Sequence, residues 1–259
     1  MSLFVFDLDG TLIDESYELK IEEIEALNKL SELGHKIAFA SGRPLTGILK
    51  FASKLNNPEN FYLLCSNGAE IYHKNKLLFS KYLGSAAFSE VFDYFGSNLD
   101  FTITAYANEK ILYKNNYDIV KLEERSNSMP SLLVKQANIE NVTKIMIRTE
   151  KTNAFDIVVP EQFYEEFEVA HTNSRWIEFT DKSVSKGTAI EFIVKRLRIR
   201  KDDVFVFGDS NNDTPAMKKY IGIAMSNAGE ETKAAAKYIT KSVYEHGVVY
   251  ALKEILHAI

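Results

Sequence analysis

The chain has 259 residues, and 46% of them are hydrophobic, which is enough for one large domain or two modest ones with a substantial core. The net charge of −5 argues against nucleic acid or an anionic membrane surface as a partner, and we expect no obligate protein partner. Cys65 is the single cysteine, and the N-terminus has neither the cationic start nor the long apolar run of a signal peptide, so we expect a cytoplasmic protein without disulfides.

Strand and helix signals alternate over the first part of the chain. Leu3–Phe6 is an apolar run typical of a strand buried in a parallel sheet. Apolar residues at helical spacing then predict a helix that ends at Gly34. A strand over 36–40, a helix over about 45–55 and a strand over 61–65 follow. This alternation predicts a parallel sheet with helices on both faces.

The middle of the chain, from about 82 to 182, has a different pattern. Alternating apolar and polar residues predict strands over 101–106 and 144–149, and a polar helix is predicted over 117–127. A last short strand is predicted over 176–179. These elements are typical of a small α+β domain.

The alternation of strand and helix resumes after this segment, with a helix over 187–197, a strand over 204–207, a helix over 214–220 and an apolar run over 221–225. We therefore predict an α/β fold: a doubly wound, mostly parallel Rossmann-like core sheet with an inserted smaller α+β domain. The predicted ranges are 1–81 and 183–259 for the two parts of the core and 82–182 for the insertion.

Two carboxylates follow the first predicted strand in the run Asp7-Leu8-Asp9-Gly10-Thr11. Residues i and i+2 of an extended segment point to the same side, so the two carboxylates are expected to lie together. Two like charges at such a short distance repel each other unless a cation or a proton lies between them. The pair therefore indicates a divalent metal site or a nucleophile beside an acid, and the alternative is a surface turn that happens to contain two acids.

Three more polar clusters follow predicted core strands or begin a core helix, which is where open α/β sheets bind ligands. They are Ser41-Gly42-Arg43, Lys186-Gly187 and the run Gly208-Asp209-Ser210-Asn211-Asn212-Asp213. Taken singly, each has an ordinary alternative: a helix cap, a solvated lysine and a polar turn. Taken together, acids from the first and last clusters form a ligand set for Mg²⁺, while Ser41 and Lys186 are placed to face a phosphate.

The four clusters together resemble the haloacid dehalogenase superfamily of phosphatases, specifically its Cof-type branch with a class IIB cap. They occur in the family's order, and the insertion of about a hundred residues fits a mixed α/β cap. Three shorter runs also resemble family motifs: Asn67-Gly68-Ala69, Ala224-Met225-Ser226-Asn227-Ala228 and His246-Gly247-Val248. Ala216 stands where the family usually has methionine, with Met217 next, which affects packing rather than chemistry.

The resemblance implies roles for the motif residues. Asp7 is implied to attack phosphorus and to bind Mg²⁺, and Asp9 to act as acid and base while its backbone carbonyl binds the metal. Asp209 completes the metal site, and Asp213 supports it. Lys186 is implied to be catalytic. The residues implied to bind the phosphoryl group are Leu8, Thr11, Ser41, Gly42, Lys186 and Asn212, with Thr11 also holding the Asp9 loop, and Arg43 and Asn67 are implied to bind substrate.

The expected function is therefore a Mg²⁺-dependent phosphatase that acts on a small phosphorylated metabolite, with a sugar phosphate as the class that the resemblance implies, through an aspartyl-phosphate intermediate. A phosphomutase is an alternative because it shares the fold and the nucleophile. A receiver-type phospho-acceptor module is a non-enzymatic alternative, although such modules lack a hundred-residue insertion and have no use for Asp9 as an acid and base.

Overall fold

Two β-sheets organise the chain, and each belongs to its own compact unit. The structure is a computed structural model, and it describes residues 1–114, 117–134 and 139–259. The first unit, the core unit, comprises residues 1–42, 48–78 and 185–259, and the second, the cap unit, comprises 43–47 and 79–184. The predicted α/β class with an inserted smaller sheet domain is confirmed. The boundaries at 81/82 and 182/183 stay predictions.

The regular elements are as follows. The strands are β1 (Leu3–Phe6), β2 (Lys36–Ala40), β3 (Tyr62–Cys65), β4 (Glu70–His73), β5 (Lys76–Ser80), β6 (Phe101–Ala107), β7 (Lys110–Tyr113), β8 (Ser131–Leu133), β9 (Val142–Thr149), β10 (Phe167–Asn173), β11 (Trp176–Asp181), β12 (Val204–Gly208), β13 (Ile221–Ala224) and β14 (Tyr238–Ile239). The helices are α1 (Ile21–Glu32), α2 (Leu45–Ala52), α3 (Ala87–Phe95), α4 (Tyr117–Asn127), α5 (Glu161–Glu166), α6 (Lys186–Leu197), α7 (Thr214–Lys219), α8 (Glu230–Ala235) and α9 (Gly247–Tyr250), which continues as a π-helical turn over Ala251–Ile255.

The larger sheet has the strand order β14-β13-β12-β1-β2-β3-β4-β5. Its strands run parallel from β14 to β3, and β4 pairs antiparallel with β3. Phe6 at the end of β1 lies opposite Phe207 of β12 and Phe39 of β2. The polar residues that follow these three strands therefore meet at one edge of the sheet, which is where a ligand binds in such folds.

Apolar packing fixes this sheet in place. All four residues of β1 are buried, as expected for a central parallel strand that is covered on both faces. On one face, Val5 and Val206 pack with Ile190 and Ile193 of α6. This packing holds the start of α6 close to the ends of β1 and β12.

The smaller sheet has the order β10-β11-β9-β6-β7-β8. Alternate residues of its strands, including Ile103, Ile145 and Phe179, form an apolar core with residues of α3 and α5. On the opposite face, Val120 of α4 packs with Tyr106 and other residues of a smaller apolar cluster. None of the helices in the described ranges is long and apolar enough to cross a membrane.

The helix predicted to run to residue 55 ends earlier. Regular α-helix stops at Ala52, and the following residues close as tighter turns, because the amides of Lys54 and Leu55 donate to the carbonyls three residues before them. The hairpin of β4 and β5 was not predicted. Its turn residues Lys74 and Asn75 both have positive φ, of 51° and 56°, although neither is glycine.

Candidate active site

A buried lysine joins two carboxylates at the edge of the core sheet. Lys186 Nζ donates to Asp7 Oδ1 at 2.8 Å and to Asp213 Oδ1 at 2.7 Å. The lysine and Asp213 are each 2% exposed, and Asp7 is 5% exposed. Lys186 is the first residue of α6, and the side chain of Ser185 caps this helix by accepting from the amide of Thr188. The arrangement brings together Asp7 and Lys186, which are 179 positions apart in the chain.

The loop after β1 gives the first two acids different surroundings. The strand ends at Phe6, and Gly10 takes a positive φ of 81° while its amide donates to the carbonyl of Ile13. Asp7 is buried, whereas Asp9 is exposed. The two carboxylates predicted to act together therefore differ in their exposure to solvent.

Asp213 organises the loop that follows β12. Its Oδ2 accepts from the amides of Asp209 and Ser210, at 3.3 and 3.2 Å. Gly208 allows this closure, because a Cβ there would overlap the Asp213 carboxylate. Its other oxygen, Oδ1, accepts from Lys186 Nζ, so Asp213 holds both the loop and the lysine in place.

Asp209 connects this loop to the one after β1. Its Oδ1 accepts from the hydroxyls of Thr11 at 3.4 Å and Ser210 at 3.2 Å. Gly10 lies directly against the same carboxylate, and a Cβ at that position would overlap it. The first and last of the four clusters are thus in direct contact, as their positions after neighbouring strands required.

The electrostatics of the site show an excess of negative charge. Burial raises the pKa of Asp7 well above its usual value; Lys186 opposes this rise, while Asp213, Asp209 and Asp9 add to it. Burial and then Asp213 likewise raise the pKa of Asp209. Burial disfavours the charged form of Lys186, but Asp213 and Asp7 outweigh it, so the pKa of the lysine is raised. The ammonium stays charged and does not neutralise the whole cluster.

A divalent cation fits this charge and this donor set. Carboxylate oxygens of Asp7, Asp209 and Asp213 lie within 4.8 Å of one another. Oxygen donors of this kind are the ligands of hard cations such as Mg²⁺. The predicted metal residues were Asp7, Asp9 and Asp209; the structure gathers the carboxylates of Asp7 and Asp209 with that of Asp213, while Asp9 was expected to contribute its backbone carbonyl.

The second cluster is linked to the fourth through Asn67. Ser41, which follows β2 and is buried, accepts at its carbonyl from the amide of Asn67 at 2.9 Å. The Asn67 side-chain carbonyl accepts from Asn212 Nδ2 at 3.3 Å and lies beside Gly42. Ser41, Gly42, Asn67 and Asn212 thus lie together within the core unit.

Two further predicted residues have distinctive positions. The Leu8 side chain is fully buried, so its predicted contact with phosphate has to come from its backbone. Arg43 belongs to the cap unit, where its Nη1 donates to the carbonyl and hydroxyl of Ser126, at 3.0 and 3.2 Å, near the end of α4. Its role in substrate binding stays a prediction.

Sequence reasoning assigned no role to Asn227. Its Nδ2 donates to the carbonyl of Gly10 at 2.9 Å, and its Oδ1 accepts from the amide of Val243 at 2.9 Å. The residue therefore fixes the turn at Gly10, directly after Asp9. The sequence signal was its place in the run Ala224-Met225-Ser226-Asn227-Ala228, which resembles a family motif but implied no role for this residue.

Comparison with known proteins identifies the family. The sequence matches the haloacid dehalogenase-like hydrolase family over residues 4–252. The 5-amino-6-(5-phospho-D-ribitylamino)uracil phosphatase YwtE of Bacillus subtilis (strain 168) is 26% identical over an alignment that is 293 positions long with its gaps. The alignment covers 99% of this chain and 98% of that protein.

Solved structures agree with this match. A haloacid dehalogenase-like hydrolase from Bacteroides thetaiotaomicron has a TM-score of 0.87 at 25% identity, covering 98% of this chain and 99% of its own. The HAD subclass IIB sugar phosphatase BT4131 has the same fold, with a TM-score of 0.80 at 21% identity and full coverage of both chains. Because the family match spans nearly the whole chain and its motif residues converge at one sheet edge, this protein belongs to the haloacid dehalogenase-like hydrolases.

Proposed function

We propose that this enzyme is a Mg²⁺-dependent phosphatase that hydrolyses a small phosphorylated metabolite through an aspartyl-phosphate intermediate. The observation that carries the proposal is the buried contact of Lys186 with Asp7 and Asp213 beside the carboxylate of Asp209. Phosphoryl transfer needs a positioned nucleophile together with positive charge on the phosphoryl oxygens, and this cluster supplies both requirements.

Asp7 is the nucleophile and Asp9 the proton carrier in this proposal. The Asp7 carboxylate attacks phosphorus, the bond from phosphorus to the ester oxygen breaks, and Asp9 gives its proton to the leaving oxygen. Water then attacks the aspartyl-phosphate while Asp9 takes up the water's proton, which releases phosphate and restores Asp7. The contact of Asp7 with the Lys186 ammonium supports its part in this division, because the positive charge favours the ionised carboxylate.

The remaining residues of the site bind and position. Lys186 holds Asp7 in place and offers positive charge to the transferred group, while Ser41, Gly42 and Asn212 bind the phosphoryl oxygens. Asp7, Asp209 and the backbone of Asp9 would hold Mg²⁺, with Asp213 fixing the loop. When bound, the ion supplies further positive charge to the phosphoryl oxygens.

A sugar or polyol phosphate is the substrate class we favour. The relative YwtE acts, by its name, on a compound that carries a phosphorylated ribityl chain. We also propose a cytoplasmic location, because the single cysteine, Cys65, is buried as a thiol and the chain has no means of forming an internal disulfide.

Phosphate release from a panel of phosphorylated metabolites, measured with Mg²⁺ and then with EDTA, tests the proposal. We expect turnover that stops with EDTA and returns when Mg²⁺ is added. Release of no phosphate from any compound, or conversion of a hexose 1-phosphate into its isomer in place of free phosphate, would contradict it.

A further inference from the structure

The first turn of α1 and the turn before α9 bring three metal-ligating side chains together. Glu22 and Glu23 belong to α1, and His246 is the residue directly before α9. One ligand atom from each of them lies within 4.8 Å of the other two. All three residues belong to the core unit, and none of them is among the carboxylates gathered at the candidate active site. We call this set the α1–α9 cluster.

Glu23 and His246 form the inner part of the α1–α9 cluster. His246 Nδ1 lies 2.9 Å from Glu23 Oε1, so a proton lies between these two atoms. The other carboxylate oxygen, Glu23 Oε2, is buried and has no hydrogen-bond partner among the described residues. Glu23 is only 4% exposed, and buried carboxylates are nearly always fully paired or bound to a metal, because burial removes their hydration. The imidazole leaves half of this carboxylate unsatisfied, which indicates a cation at the cluster.

The outer part of the cluster is open to solvent. Glu22 is exposed and lines a surface cavity of about 250 Å³, and 36% of the His246 side chain is exposed. Glu25, Lys29 and Lys253 line the same cavity and are not part of the cluster. A hydrated cation can therefore reach the two glutamates and the imidazole from outside and keep water as its remaining ligand.

The charge of the cluster also favours a cation. Glu22 and Glu23 are neighbours in the chain, and Lys20 comes just before them. The Lys20 ammonium donates to Asp14 Oδ2 at 2.5 Å, so its charge is already paired with another carboxylate. The two glutamates are thus left with the imidazole as the partner that the structure gives them.

The donor set selects a transition metal over Mg²⁺. An imidazole nitrogen with two carboxylates is a ligand set for Zn²⁺, whereas Mg²⁺ takes oxygen donors. Ligands about 2.1 Å from one ion lie at most about 4.2 Å apart, so the cluster has to contract by roughly 0.6 Å, which the exposed side chain of Glu22 allows. Binding removes the proton from His246 Nδ1: an imidazolium releases it to solvent, and a neutral imidazole moves it to Nε2.

We infer that the α1–α9 cluster binds Zn²⁺ through Glu22, Glu23 and Nδ1 of His246, as a second metal site separate from the one proposed for Mg²⁺. The ion links Glu23 to a residue 223 positions away and so stabilises the core unit against unfolding. The inference does not rest on the proposed phosphatase function, because it involves neither the substrate nor a residue assigned to catalysis.

Zinc binding to the tag-free full-length protein, measured by equilibrium dialysis with millimolar Mg²⁺ present, tests the inference. We expect Zn²⁺ to bind the wild type, and His246→Asn and Glu23→Gln each to weaken that binding by at least about tenfold. Asparagine tolerates the positive φ of 54° at position 246, and glutamine keeps the shape of the glutamate, so both variants are expected to fold. No zinc binding, or binding that neither variant weakens, would overturn the inference.

Two substitutions outside the cluster are matched controls. His257 also has a positive φ, of 49°, and its Nδ1 donates to the carbonyl of Lys253 at 2.9 Å. Glu25 is an exposed residue of α1. His257→Asn and Glu25→Gln should both keep the zinc affinity of the wild type. If they weaken zinc binding as much as the cluster variants do, the inference fails.

Asp209→Asn separates the two metal sites, because it removes a carboxylate proposed to bind Mg²⁺ and leaves the α1–α9 cluster intact. Zn²⁺ should raise the Tm of wild type and of Asp209→Asn by about 5 °C, and that of His246→Asn by about 1 °C or less. In ¹⁵N NMR spectra of the imidazoles, Zn²⁺ should shift Nδ1 of His246 and leave His257 unchanged. Zinc binding that is lost in Asp209→Asn and retained in His246→Asn would assign the ion to the active site and overturn the inference.

Discussion

Lys186 Nζ lies 2.8 Å from Asp7 Oδ1, although the two residues are 179 positions apart in the chain. The contact exists because β1 pairs with β12 in the core sheet and α6 packs against both strands. The nucleophile proposed for this enzyme is therefore held by a residue that lies beyond the whole inserted domain.

Replacing Lys186 with methionine should cost stability as well as activity. The change leaves Asp7 and Asp213 buried without their common partner, and removing one member of a buried ion pair destabilises by about 3–5 kcal/mol. Loss of the charge that faces the phosphoryl group should reduce kcat by about 10³-fold. Urea unfolding and steady-state kinetics measure the two effects.

The control for this variant lies on the same helix. Lys195 is 74% exposed and pairs with Glu191 at 2.8 Å, so Lys195→Met should change the free energy of unfolding by about 0.5 kcal/mol or less and leave kcat unaltered. Equal stability losses in the two variants would contradict the role given to the buried contacts of Lys186 with Asp7 and Asp213.

Gly10 and Gly34 form a second matched pair. Both have a positive φ, 81° and 84°, but a Cβ on Gly10 overlaps the Asp209 carboxylate, whereas nothing lies within 4 Å of a Cβ on Gly34. Gly34→Ala should cost only the backbone strain, about 1 kcal/mol, with normal kcat/KM. Gly10→Ala should also displace Asp209 and raise the Mg²⁺ concentration needed for half-maximal activity. Similar metal dependence in both variants would argue against Asp209 as a ligand.

Glu123 should make stability depend on pH. Burial raises its pKa from 4.5 to about 7, against the hydrogen bond from Tyr106 and the charges of Lys144 and Arg148, which lower it, while Glu178 adds to the rise. The folded state thus favours the protonated form, so the stabilisation is complete below about pH 4.5 and is lost as pH rises through about 7. The loss amounts to about 3 kcal/mol.

Thermal and urea unfolding of wild type and Glu123→Gln at pH 4.5 and pH 8 measure this dependence. The variant should gain stability relative to wild type at the higher pH, because glutamine does not titrate and still accepts from Tyr106. Asp118→Asn on the same helix should show no such gain. A difference between wild type and Glu123→Gln that is equal at both pH values would mean that Glu123 does not titrate in this range.

Many helices and strands of the core unit could be predicted from local sequence patterns. β2 occupies the predicted residues 36–40, and α1 stops before Gly34, because apolar periodicity and glycine punctuation are local signals. The hairpin of β4 and β5 was missed because Lys74 and Asn75 form its turn without the glycine that usually marks one.

The sequence predicted which residues form the candidate site, because their positions after the core strands bring them together. It did not predict the hydrogen bonds between them. Strand ends predicted that Asp7, Ser41 and Asp209 lie at one edge of the sheet. The contact of Asn227 with Gly10 joins residues 217 positions apart, and no periodicity or motif spacing specifies such a hydrogen bond. The same holds for the cap sheet, where the pairing register between β6, β9 and β11 decides which side chains meet.

Trapping the aspartyl-phosphate tests the central claim most directly. p-Nitrophenolate leaves without needing a proton, so Asp9→Asn should still transfer the phosphoryl group from p-nitrophenyl phosphate to Asp7 but hydrolyse the intermediate slowly. The account predicts a burst of about one p-nitrophenolate per active site, with phosphate on the peptide that contains Asp7, and no burst when Asp7→Asn is added. A phosphorylated residue other than Asp7, or full turnover by Asp7→Asn alone, would contradict the account.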